Sequence, residues 1–258
     1  MTQNKRKTGK RKLSRFGRAV FIGIEAVLMV LILFFSWRIY TILQGYHQGN
    51  SVYEDLTVYT EAGRTDLPAA EDNGIDFAAL AEINPDIVAW ITLEDSMINY
   101  PVVQGTDNAY YLEHLFNREV NHMGCVFMDY RSTPDFSDYV TPLFAHHSSN
   151  GAMFAGIEKY KKQEFYETHK SFTLRTPAGE YVLEPYTGLV LDATEAFLRI
   201  DFNDVYDFVN YANMYNGQST FRSDITIDEE DRVVALLTCT ADFDTARYVL
   251  FCRLSKVR

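Results

Sequence analysis

Hydrophobic positions fall along this chain in three regimes. From Val20 to Tyr40 the residues are almost wholly apolar, and about 20 residues at helical rise cross a bilayer core. Next, Val52, Leu56 and Tyr59 recur at helical spacing and predict a short amphipathic helix, with Gly63 as its stop. From Ile75 onward the apolar runs are short and closely spaced. Phe77, Leu80 and Ile83 predict a brief helix ending before Asn84-Pro85. Strands are predicted over Ile87–Leu93, Ile98–Val103, Cys125–Met128, Val140–Ala145, Ser171–Thr176, Tyr181–Leu191, Val233–Thr238 and Tyr248–Leu254. Glu94-Asp95-Ser96 and Pro177-Ala178-Gly179 supply turns. Val205, Phe208, Val209 and Ala212 keep a helical period, with Asn203 as N-cap and Gly217 as stop. About eight strands with short peripheral helices predict a mostly β domain, a closed or nearly closed barrel, preceded by a transmembrane helix.

Charge divides the chain the same way. Eight of the 24 Lys and Arg lie in the first 18 residues, which hold no acid. The remaining 16 face 35 Asp and Glu, a balance of −19. Such a domain repels phosphate, so a nucleic-acid partner is not expected. The apolar run exceeds a signal-peptide core, and no Ala-x-Ala site follows it, which favours a retained anchor over a cleaved signal. Basic residues on its N-terminal side predict that end cytoplasmic and the C-terminal domain extracellular, a single-pass arrangement at the cell membrane. The expected organisation is a basic cytoplasmic tail (1–18), a transmembrane helix (19–43), a juxtamembrane linker with a possible short helix (44–74) and one extracellular domain (75–258).

Three cysteines, Cys125, Cys239 and Cys252, do not make a disulfide framework. No CxxC, HExxH or phosphate-cradling glycine loop occurs, so neither a metal nor a cofactor is expected. Cys125 and Cys252 sit inside apolar runs and read as core. Cys239 ends one, Leu236-Leu237-Thr238-Cys239, where strand gives way to polar loop. His146 ends another, Pro142-Leu143-Phe144-Ala145-His146, and Arg247 starts a third. His147 is expected to face away from its neighbour by strand alternation. Arg253 shares the parity of Arg247 but lies too far along the strand to serve. His47, His114, His122 and His169 read as surface or packing residues. A thiol, an imidazole able to move protons near neutral pH and a permanent cation able to steady an oxyanion are the parts of acyl transfer through a thioester.

The order His146, Cys239, Arg247 behind an anchor resembles the sortase family, class B in particular. The similarity runs from about Asn84 to the end. It is carried by Asn84-Pro85-Asp86-Ile87-Val88-Ala89-Trp90-Ile91, Ile98-Asn99-Tyr100-Pro101-Val102-Val103-Gln104, Asp107-Asn108-Ala109-Tyr110-Tyr111-Leu112, Gly124-Cys125-Val126-Phe127-Met128-Asp129-Tyr130 and Gly151-Ala152-Met153-Phe154. Leu237-Thr238-Cys239 is similar to the end of the family's Thr-Leu-x-Thr-Cys signature. Ala145 stands where the family usually has glycine before its histidine. The resemblance implies a sortase-type barrel and a Gram-positive cysteine transpeptidase with catalytic His146, Cys239 and Arg247. Its implied partners are secreted proteins bearing a C-terminal sorting signal, and an amine from peptidoglycan precursor or a pilin lysine. A secreted cysteine peptidase and a catalytically silent wall-binding domain are the alternative readings. Papain-like peptidases place cysteine before histidine, the reverse of the order here.

Overall fold

The computed structural model describes residues 15–60, 74–148, 150–194, 198–239 and 245–257, with the Cys239 side chain outside the description. Most of the basic tail, the candidate stop Gly63 and the polar loop 240–244 also lie outside it. The chain forms two compact units, Met1–Gln44 and Gly45–Arg258. The first holds the start of helix α1 (Arg15–Leu56). This helix is long and apolar enough to cross a membrane, and its most apolar stretch buries nothing within the protein. The two helices expected around 19–43 and 52–59 are therefore one unbroken helix, followed by a 3₁₀ turn at Thr57–Tyr59. Gly45 and Gly49 do not interrupt it.

The second unit is a closed barrel of eight strands. They are β1 (Ile87–Thr92), β2 (Asn99–Val103), β3 (Val126–Met128), β4 (Val140–Phe144), β5 (Phe172–Thr176), β6 (Gly179–Asp192), β7 (Arg232–Cys239) and β8 (Ala246–Lys256). Their order around the barrel is β1-β2-β3-β4-β7-β8-β6-β5. The β2/β3 and β4/β7 pairs are parallel and the others antiparallel. All eight lie where apolar runs predict them. Pro177-Ala178 turns the β5/β6 hairpin, in which Thr176 pairs with Gly179. Among the described residues three further α-helices decorate the barrel: α2 (Phe77–Ile83), α3 (Gln163–Thr168) and α4 (Val205–Asn213).

The runs in β7 and β8 are continuously apolar because both of their faces are covered. Val234, Leu236, Leu250 and Cys252 join the larger buried cluster with Trp90 and Phe127. Their alternates Val233, Ala235, Leu237, Val249 and Phe251 join a second cluster, which Phe208 and Ala212 of α4 complete. Period-two alternation thus divides one run between two cores. The N-cap of α4 is Asp204, whose side chain accepts from Asp207 N–H, not Asn203. Asn203 instead donates its side-chain amide to Asp207 (2.9 Å). The helix ends at Asn213, and Gly217 lies in a separate 3₁₀ turn beyond it.

Candidate active site

The Asn84-Pro85-Asp86 stretch does not contact the site; it braces the segment that does. Buried Asn84 donates its side-chain amide to the Tyr111 hydroxyl (2.9 Å) and the Phe116 carbonyl (2.8 Å). Tyr111 in turn donates to Asp86 (2.6 Å). A buried amide keeps its position only when such partners are supplied. This network fixes the turn at Tyr110–Leu112. The Leu112 carbonyl then meets the His146 ring, 2.6 Å from Nε2. A carbonyl only accepts, so Nε2 carries a proton there, and among the described residues Nδ1 has no hydrogen-bond partner.

His146 stands two residues beyond the end of β4. The β4/β7 pairing aligns Phe144 with Leu237. It is extended by Ala145 N–H donating to the Leu237 carbonyl (3.2 Å) and the Thr238 hydroxyl donating back to the Ala145 carbonyl (3.0 Å). The backbones leading to His146 and Cys239 therefore run side by side. Across the next seam, Cys239 and Arg247 are register partners in the β7/β8 ladder. The strand end that carries the thiol is thus flanked by the histidine strand on one side and the arginine strand on the other.

His146, Thr238 and Arg247 line a cavity of about 390 Å³. Its wall is otherwise apolar at Leu112, Phe127, Phe144 and Leu237, with a polar patch of Asn108, Asp129 and Arg131. Burial pushes the Asp129 carboxyl up, but hydrogen bonds and charge from Arg131 more than offset it and hold the group below the usual carboxylate range. Asn108 accepts from Tyr130 N–H (3.0 Å) and ties that patch to the 107–112 segment. Near Arg247, Asp192 is held at about 2, first by the Thr245 hydroxyl, then by Thr194, with the Arg247 charge adding to the effect. The Arg247 guanidinium donates to the carbonyls of Ala246 (3.0 Å) on its own strand and of Thr245 (3.4 Å) just before it.

Of the residues singled out by sequence, His146 and Arg247 share the cavity, and Cys239 ends its strand opposite Arg247. His147 turns away, with Nε2 2.8 Å from Glu158, as alternation requires. Arg253 is occupied by Glu184 on β6 (2.8 Å). His114 and His169 stack on Tyr110 and Phe165, ring centroids 3.8 Å apart in each pair. Cys125 and Cys252 are buried in the barrel interior. Burial pushes the Cys125 thiol up to about 12 and drives that of Cys252 well above its ordinary range. Sequence reasoning did not single out Leu112, Thr238 or the Asn108–Asp129–Arg131 patch as site residues. The first acts through its backbone carbonyl, which no side-chain pattern announces. Among the described residues no group of His, Cys, Asp and Glu is arranged to hold a metal ion.

No protein-family model matches the chain. Sortase B of Listeria monocytogenes is 30% identical over 235 residues, spanning 89% of this chain and 95% of that protein. Sortase B of Staphylococcus aureus is 30% identical over 238 residues, spanning 91% and 96%. The solved Staphylococcus aureus sortase B–substrate complex superposes with a TM-score of 0.72 at 29% identity, covering 83% of this chain and 100% of that one. Identity at this level along nearly the whole of both chains, on the same barrel, has one meaning: the chain belongs to the class B sortases, a family of cysteine transpeptidases.

Proposed function

We propose that this chain is a membrane-anchored transpeptidase that cuts a C-terminal sorting motif, holds the upstream product as a thioester on Cys239 and passes it to an amine. The observation that carries this reading is one cavity lined by both His146 and Arg247, with Cys239 the register partner of Arg247. Cysteine chemistry falls to Cys239 because Cys125 and Cys252 are buried with their thiols pushed far from ionisation. The relative solved as a substrate complex supports a peptide-binding role for the same barrel.

In the proposed sequence the Cys239 thiolate attacks the scissile carbonyl and forms an S–C bond. Arg247 stabilises the oxyanion that develops on the carbonyl oxygen. Protonated His146 gives its Nδ1 proton to the leaving amine as the C–N bond breaks. An incoming amine then loses a proton to His146, attacks the thioester carbonyl and expels the thiolate. Peptide-bond energy is conserved through the thioester, so the exchange requires no nucleotide. The acceptor is an amine of the peptidoglycan precursor or a pilin lysine. The basic tail (1–18), the membrane segment (19–43) and the juxtamembrane stretch (44–74) would hold the domain 75–258 outside the membrane. There, two membrane-bound substrates meet at raised effective concentration.

The test uses the full chain in detergent or lipid with a sorting peptide and a primary amine. The expected product is the new amide, with Cys239→Ala inactive. Free acid alone would mark a peptidase, and no turnover at all a silent binding domain.

A further inference from the structure

From Gly45 onward α1 belongs to the barrel unit, and the contacts of its Tyr53 lead toward His146. Tyr53 is buried, and its hydroxyl donates to the Gly124 carbonyl at 2.5 Å. Gly124 has φ of +63°, and its Cα is pressed against the site. A Cβ added there would lie 2.7 Å from the Tyr111 carbonyl oxygen, 2.8 Å from that of Leu112 and 3.1 Å from His146 Cδ2. Leu112 O is the atom that accepts from the His146 ring. One path from Tyr53 thus reaches the imidazole through two backbone units.

A second path leaves from the face of the same ring. Tyr53 packs edge-on against Tyr100 with centroids 5.2 Å apart. The Tyr100 hydroxyl accepts from Met153 N–H (3.2 Å). Met153 has φ of +57°, a conformation that a residue with a side chain rarely holds without support. Met153 is bridged to His147, and the next residue, Phe154, donates its N–H to the His146 carbonyl (3.1 Å). Tyr53 therefore braces the ring of His146 from one side and its backbone from the other.

We infer that Tyr53 is a positioning residue for the transfer reaction, fixing the His146 imidazole through Gly124 and Tyr100. The inference rests on the transpeptidase reading above, in which His146 moves the proton. A buried hydroxyl aimed at a carbonyl is a stiff link, and a proton carrier displaced by a fraction of an ångström loses rate rather than binding. The helix segment after Gly45 is then a working part of the site as well as the continuation of the apolar segment.

The test compares wild type, Tyr53→Phe and Tyr53→Leu as full-length proteins. Tyr53→Phe keeps the contact with Tyr100 and loses the donor. It should lower kcat about tenfold while KM for the sorting peptide changes by less than about twofold. Tyr53→Leu loses both links and should fall further. The ¹⁵N signals of the His146 ring should move in Tyr53→Phe, read below its unfolding transition so that lower stability does not obscure the result. A Tyr53→Phe protein with wild-type kcat and unmoved His146 signals overturns the inference and leaves the transpeptidase reading intact. A wild type that forms no amide product overturns both.

Discussion

His146→Gln should lower amide transfer by about a thousandfold, within the range that positioned acid–base groups contribute. The substitution is chosen for what it preserves. A glutamine side-chain amide can still donate toward the Leu112 carbonyl that now accepts from Nε2 at 2.6 Å. The turn at Tyr110–Leu112 and the cavity wall should therefore persist, and the melting temperature should stay within about 2 °C of wild type. What disappears is the nitrogen on the other side of the ring, which in the proposed reaction exchanges the proton with leaving and entering amines. Turnover at several pH values, read beside a thermal melt, separates lost chemistry from lost fold. Retention of more than about a tenth of wild-type kcat would remove His146 from the proton-transfer role.

Arg247→Lys should cost about a hundredfold in kcat/KM, equivalent to about 2.7 kcal/mol of transition-state stabilisation. Lysine keeps the charge, so bulk electrostatics cannot explain such a loss. Arginine offers a planar fork of donors that holds its direction, whereas an ammonium is a flexible point charge. Here the guanidinium is held by the Ala246 and Thr245 carbonyls and lies beside an ionised Asp192. That tether keeps it at the strand end opposite Cys239. The loss should fall mainly on kcat, since the oxyanion exists only once the thiolate has attacked. A rise confined to KM would instead assign Arg247 to substrate holding.

Most of the barrel was legible because its strands are short apolar runs separated by turn residues. The runs in β7 and β8 are unbroken because two clusters, one through Leu236 and Leu250 and one through Leu237 and Val249, take alternate side chains. The edges of helices were less legible. Asn203 and Asp204 are both good caps, and only the geometry of Asp207 N–H decides between them. The separation expected between the apolar helix and the Val52–Tyr59 helix gave way because α1 runs unbroken through Gly45 and Gly49 to Leu56. Gly49 also packs closely, since a Cβ there would run into the Met123 side chain.

The site divides in the same manner. His146, Cys239 and Arg247 could be singled out because each stands where an apolar run meets a polar segment. The turning away of His147 followed from alternation, and Glu158 explains where it goes. The groups that hold His146 could not be found this way. Leu112 acts through a carbonyl 34 residues distant in sequence, and Tyr53 acts through Gly124 across 71. Neither spacing has a period, and both depend on how the barrel closes.

The central claim is that residue 239 carries the acyl group. Its most direct measurement is intact-protein and peptide mass spectrometry of the full chain mixed with a sorting peptide and no amine acceptor. The account predicts a covalent adduct equal to the peptide's upstream fragment, mapped to Cys239, released as the hydroxamate by hydroxylamine and missing from Cys239→Ala. An adduct on Cys125 or Cys252, or amide product from Cys239→Ala, would contradict it.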